Sequence, residues 1–218
     1  MGEPLVTSSR GSRAAPSELV LAYQLEERIP LDTGAPSRHV ERWAVSVLLD
    51  RSATGDGRVE IGYAHVLVFT LEPGRDIGEL ADRASGTWID VESPADATRL
   101  PPDLGDDRGR TGHILLLDRV WLEPNQRGRG FGPIVAAAAI GRLGRGCHLA
   151  ACYPAPFEAP SQPPEDRARA VEALGRVWSR VGFRHWRDGV WMLDLNASDI
   201  HATLVELVRA RGGPTPDP

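Results

Sequence analysis

The stretch from His113 to Pro156 constrains the fold more than any other. An apolar run, HILLLDRVWL, passes through a glycine-rich loop, EPNQRGRGFG, into PIVAAAAIGRLGRG, and a second apolar run, HLAACYPAP, follows. HILLLDRVWL is apolar at both alternating positions, the pattern of a strand covered on both faces. PIVAAAAIGRL carries Pro133 in its first turn and glycines past its end, the punctuation of a helix. Strand, loop, helix and strand in this order form a βαβ-like unit, whose two strands are expected to be parallel neighbours.

The loop inside this unit suits an anion. A helix N-terminus presents amide groups with no helical partner and the positive end of the helix dipole. Gly128, Gly130 and Gly132 remove side chains that would shield those amides, and they admit positive φ. Arg127 and Arg129 add charge and directed donors. The Walker lysine and hydroxyl are missing and the glycines alternate, which disfavours ATP and NAD.

Upstream, residues 18–29, 39–50 and 58–71 read as three strands separated by Gly, Pro, Asp and Ser, with a spacing that suits an antiparallel meander. Downstream, a helix is expected over about 165–181, with Ala168, Val171, Leu174, Val177 and Trp178 or Val181 on its apolar stripe and Gly182 at its end. FRHWRDGVWMLDL reads as a hairpin turned at Asp188-Gly189. Ser198 is expected to cap a last helix that carries Ile200, Leu204, Leu207 and Val208 on one face. The expected fold is α/β (α+β): a single mixed, mostly antiparallel twisted sheet of about seven strands, with a central parallel pair and flanking helices. Residues 1–16 read as a loose tail, 17–197 as one domain with an acidic insertion at 72–112, and 198–218 as a C-terminal helix and tail.

The formal charge is -5, and Glu72 to Arg110 holds ten acids against five arginines, which leaves the rest of the chain balanced. On that total, nucleic acid is not expected as a partner. Every fixed cation is an arginine, which favours planar contacts to phosphate or carboxylate. Cys147 and Cys152 lack the repeated spacing of a zinc site, so no metal is expected and both read as buried thiols. The N-terminus lacks the apolar core of a signal peptide and no apolar run is long enough to span a bilayer, so the expectation is a cytoplasmic protein with no membrane partner.

Arg127 to Gly132 resembles motif A of the GNAT acetyltransferase superfamily, Arg/Gln-x-x-Gly-x-Gly/Ala, and Leu122-Glu123-Pro124 looks like the strand end that precedes it. VWSRVGF, Val177 to Phe183, is similar to that superfamily's hydrophobic-Tyr-x-x-hydrophobic-Gly-Phe signature before a final hairpin. The resemblance covers about His113 to Leu195, and the chain also looks like actinobacterial sequences, which adds no function. It implies a bacterial N-acetyltransferase that moves an acetyl group from acetyl-CoA to a primary amine of a small molecule or protein, by direct attack in a ternary complex. The backbone of Val120, Trp121 and Leu122 would pair with the pantetheine arm, while Arg127, Gly128, Arg129, Gly130, Phe131 and Gly132 cradle the pyrophosphate. Trp178 stands where the family's thiol-side tyrosine would be, and indole is no acid at neutral pH. A thiol of pKa about 8.5 nevertheless leaves tolerably well as a thiolate.

An alkylammonium of pKa near ~10 must lose a proton before it attacks a thioester. Asp118, on the alternating face of Leu116, is the expected base unless a bulge reverses the parity; His65 and His113 are the other possible bases. Tyr153, at the end of the neighbouring strand, could donate to the departing sulfur. The connection over 30–38 is too short for the two substrate-lining helices that the family usually places there. The acceptor wall is therefore expected from the acidic insertion and the proline linker, an acidic rim that would steer a cationic amine. A non-catalytic acyl-CoA-binding module is the alternative, and an RNA-binding acetyltransferase would require a basic surface. The apolar face of the last helix suits a homodimer contact.

Overall fold

The computed structural model describes residues 18–26, 40–51, 57–71, 112–154, 163–187 and 189–212. The N-terminal tail, the connection over 30–38, the acidic insertion up to residue 111 and the linker over 155–162 lie outside them, and so do the expectations placed there. The strands are β1 (Glu18–Glu26), β2 (Val40–Asp50), β3 (Arg58–Leu71), β4 (Gly112–Leu122), β5 (Cys147–Cys152), β6 (Arg184–Arg187) and β7 (Val190–Asp194). The helices are α1 (Phe131–Leu143), α2 (Pro164–Ser179) and α3 (Ile200–Gly212), with a short 3-10 turn at Pro124–Gln126.

All seven strands join one sheet in the order β1-β2-β3-β4-β5-β7-β6. The β1, β2, β3 and β4 neighbours are antiparallel, β4 and β5 are parallel, and β7 pairs antiparallel with both β5 and β6. This is the mixed sheet of seven strands expected from the sequence, with the parallel pair at its centre. The pair arises because α1 carries the chain back across the sheet between β4 and β5.

The helices pack on one face. Leu115 and Leu117 of β4, Ala150 and Cys152 of β5, Ile134, Ala137 and Ile140 of α1, Trp178 of α2 and Leu207 of α3 form one buried cluster. Leu67, Ile114, Leu116, Leu149, Ala151 and Met192 form a second cluster on the opposite face, so the two strands are buried on both sides. Full burial of each such Leu or Ile is worth about 1.5–3 kcal/mol. A third cluster joins Val45, Val47 and Ile61 to Leu122, Phe131 and Val135, and so anchors the start of α1 on the meander.

Helix ends follow local chemistry. α2 stops at Ser179, two residues before the expected end, as Gly182 turns at φ 105°. The cap of α3 is Asp199 rather than Ser198: Asp199 Oδ1 accepts from the amide of Ala202 at 2.9 Å, and a carboxylate there also suits the helix dipole. α1 and α3 have thirteen residues each and run antiparallel, since Ile200 Cγ2 lies 3.6 Å from a Cβ built on Gly141 while Arg211 Cγ lies 3.9 Å from one built on Gly130.

Candidate functional site

Two irregularities in β4 make the site. The first is a bulge: His65 of β3 pairs with Arg119 and Val66 with Leu117, which leaves Asp118 as the extra residue. A bulge bends its strand and re-aims side chains. Before it, Leu115 and Leu117 face the helices; after it, Val120 and Leu122 do. Asp118 and Arg119 fall between these sets, on the face of Leu116, Leu67 and His65. The expected face for Asp118 is thus the observed one, and the reversal of parity takes effect beyond it.

The second irregularity is an opening. β5 pairs with β4 only as far as Leu117 opposite Cys152. From Asp118 to Leu122, β4 runs on, held on its other side by β3. Gly62 makes that hold close, because a Cβ at this position would fall against the carbonyl oxygen of Trp121 and 2.8 Å from Leu122 Cδ2. Val120, Trp121 and Leu122 therefore lie beyond the stretch of β4 that β5 pairs with. Tyr153 follows directly on Cys152, so Asp118 and Tyr153 stand on the two sides of the point where the parallel strands part.

The loop after β4 leads to the start of α1. Gly128 and Gly130 have φ of 72° and 79°, the left-handed region that glycine enters without strain. Gly130 is the N-cap of α1 and no side chain caps the helix. Among the described residues, Cβ atoms built on Gly128 and Gly132 would meet nothing within 4 Å, so both positions border open space. Arg127 Nε donates to the carbonyl oxygen of Leu122 at 2.8 Å, and its guanidinium lies 5.7 Å from the Trp121 ring. Arg129 donates to Oε1 of the buried Gln126 at 2.8 Å. Donors, dipole and room together fit a diphosphate.

Sequence reasoning missed Arg211. It projects from the last turn of α3 with its guanidinium 4.2 Å from the Phe131 ring centroid, while that of Arg129 lies 5.8 Å away. Only the antiparallel packing of α3 on α1 brings it there. The one signal in the sequence was the equal length of the two helices. Tyr63 was also missed: its ring stacks on Trp121 at 5.5 Å and lies 5.0 Å from that of His65, beside the bulge.

Other expected residues lie away from the opening. Trp178 is 8% exposed, within the core under the helices and edge-on to Phe183 at 6.5 Å. His113 is at the far end of β4, where it pairs with Thr70 and Cys147. Both cysteines are buried, and burial holds the Cys147 thiol up to about 11 and raises Cys152 as well. Asp118 Oδ1 is buried without a hydrogen-bond partner among the described residues. The imidazole of His65 is held below 6.5, first by burial, against an upward pull from the Asp118 charge.

No family model matches the chain, and no curated protein does. Among solved structures it is similar to the KacTA-DNA complex, at 10% identity and a TM-score of 0.41 over 86% of this chain and 99% of that one. It is also similar to AtaTR bound with AcCoA, at 13% identity and a TM-score of 0.37 over 75% of this chain and 73% of that one. A third is AtaT complexed with acetyl-methionyl-tRNAfMet, at 13% identity and 0.37 over 78% of this chain and 75% of that one.

Two of these three structures are complexes with DNA and with acetyl-methionyl-tRNAfMet, against the expectation that nucleic acid is no partner, and that expectation is dropped. The physical fault lay in using a total charge. The excess of acids sits wholly within Glu72 to Arg110, and the remainder of the chain is balanced. The restriction of the acceptor to a small molecule or a protein amino group is withdrawn with it. Among the described residues no helix is long and apolar enough to cross a membrane.

Proposed function

We propose that this chain is an acetyl-CoA-dependent N-acetyltransferase whose acyl donor lies in the opening between β4 and β5. The observation that carries the reading is that β5 pairs with β4 only as far as Leu117, just short of Val120 to Leu122, and that this strand leads into a helix start with glycines at positive φ. One ligand with an amide-bearing arm and a diphosphate matches both parts in this order. Val120, Trp121 and Leu122 would hold the pantetheine by backbone hydrogen bonds. Arg127, Gly128, Arg129, Gly130, Phe131 and Gly132 would hold the pyrophosphate.

The acyl group supplied by the donor then lies beside Asp118 and Tyr153, where the strands part. Backbone amides near Val120 to Leu122 polarise the carbonyl. Asp118 accepts a hydrogen bond from the acceptor nitrogen, and the Tyr153 hydroxyl would donate to the departing sulfur. Buried carboxylates demand a donor, and the orphaned Oδ1 of Asp118 supports this role.

Two measurements test the reading. Titration calorimetry with coenzyme A should show binding that Gly130→Val removes. Thiol release from acetyl-CoA should then be assayed over a panel that includes a polyamine, a peptide N-terminus and an aminoacyl-tRNA. Absence of coenzyme A binding would sink the proposal. Trp178 favours a second reading, since it fills core where the family has a hydroxyl: an acyl-CoA-binding module without turnover. Binding with no thiol release for any acceptor would decide for that module.

A further inference from the structure

We infer that His65, a residue of β3, is the proton acceptor of the reaction, with Asp118 as its partner across the bulge. The inference rests on the acyltransferase reading and deepens it. The bulge sets His65 in register with Arg119 and leaves Asp118 as the residue between its two neighbouring pairs. Without it, strict alternation would put Asp118 and Arg119 on opposite faces of the sheet. With it, both charges act on the His65 imidazole. β5 ends its pairing one residue before Asp118, so this group borders the opening in the sheet.

The chemistry needs two things at this place. An ammonium must be held, and its proton must go to a group that is vacant at neutral pH. The buried Asp118 Oδ1 lacks a donor and suits the first task. The imidazole suits the second, because burial favours its neutral form. The groups that act on it are Asp118 on β4 and Glu26 on β1, which favour the cation, and Arg119 on β4 and Arg42 on β2, which oppose it; the Tyr63 ring packs on its side. In the step, one ammonium proton passes to His65, where the Asp118 carboxylate stabilises the imidazolium, and the freed amine lone pair forms the C–N bond as the C–S bond breaks. The electron pair leaves with sulfur, and the second nitrogen proton ends on that sulfur.

The test has one readout that needs no turnover. NMR titration of the His65 imidazole should give a midpoint below 6.5, and Asp118→Asn should move it lower still, because an upward pull is removed. The second readout is the pH profile of kcat/KM for acetyl-CoA with the amine that turns over. It should fall on the acid side with the His65 midpoint. His65→Gln should abolish that limb and lower kcat about 100-fold, with KM for acetyl-CoA changed less than about threefold. An Asp118→Asn protein with an unmoved His65 titration overturns the inference. So does a His65→Gln enzyme that keeps the acid limb and most of its kcat. If wild-type protein binds no coenzyme A, the acyltransferase reading fails instead and takes the catalytic role of His65 with it.

Discussion

The guanidinium of Arg211 lies 4.2 Å from the ring centroid of Phe131, so the end of the last helix reaches the beginning of α1. Arg129 lies over the same ring at 5.8 Å, and neither arginine forms an ion pair among the described residues. Two like charges on one ring beside a positive helix end are relieved by an anion. Arg211→Met keeps an aliphatic cover on Phe131 and removes the charge. Coenzyme A affinity should fall about threefold to tenfold, near 0.7–1.4 kcal/mol, in titration calorimetry. The melting temperature should change by less than about 2 °C.

The three loop glycines should separate into two kinds. Valine at Gly128 or Gly130 must enter φ of 72° or 79°, at a cost of about 1–2 kcal/mol or more for a β-branched residue. Both stability and coenzyme A binding should drop. Gly132 lies inside α1 with open space around its missing Cβ, so Gly132→Ala should leave stability unchanged or raise it by up to about 1 kcal/mol. Its coenzyme A affinity should still weaken, because the methyl group would stand where the proposed site holds the pyrophosphate. Thermal melts and calorimetry on the same samples check the contrast.

Both thiols should be nearly inert in the folded protein. With the Cys147 thiol at about 11, only about one molecule in a thousand carries a thiolate at pH 8, and the Cys152 thiol is raised as well. An aromatic disulfide reagent at pH 8 should therefore modify neither residue within the time in which it modifies both in denaturant. Raising the pH toward 11 should speed the reaction at Cys147. Rapid labelling of native protein at pH 8 would contradict the burial.

Gly189 and Tyr153 test the other side of the opening. Gly189 turns at φ 77°, and a Cβ there would lie 2.5 Å from Tyr153 Cε2. Gly189→Ala should cost about 2 kcal/mol and change the near-ultraviolet circular dichroism as the ring shifts. Tyr153→Phe keeps the ring where it is. It should lower kcat about tenfold while KM for acetyl-CoA holds, if the hydroxyl donates to sulfur.

Much of this architecture could be read from residue order. The unit β4-α1-β5 was legible because apolar runs, glycines and one proline encode it within a single local segment. The hairpin of β6 and β7 was legible for the same reason, and Gly189 has the positive φ that its turn requires. The cap of α3 was misplaced by one residue, since Ser198 and Asp199 both have the chemistry for it and only the bond from Ala202 decides. Arg211 could not be foreseen from an exposed last turn alone. Its place depends on helix packing between segments far apart in the chain. Nor does the sequence mark the bulge: the apolar alternation of HILLLDRVWL reads the same with or without it, and only pairing with His65 and Val66 reveals the extra residue.

The early stop of β5 has a consequence beyond chemistry. Hydrogen exchange at the amides of β4 that point away from β3 should be faster beyond Leu117 than before it in the free protein, because β5 pairs only with the earlier part. Whatever molecule fills the gap completes the weave, and its binding free energy becomes part of the resistance to unfolding. The sheet would then be mechanically whole only while loaded, and its melting temperature would report the cell's supply of that molecule.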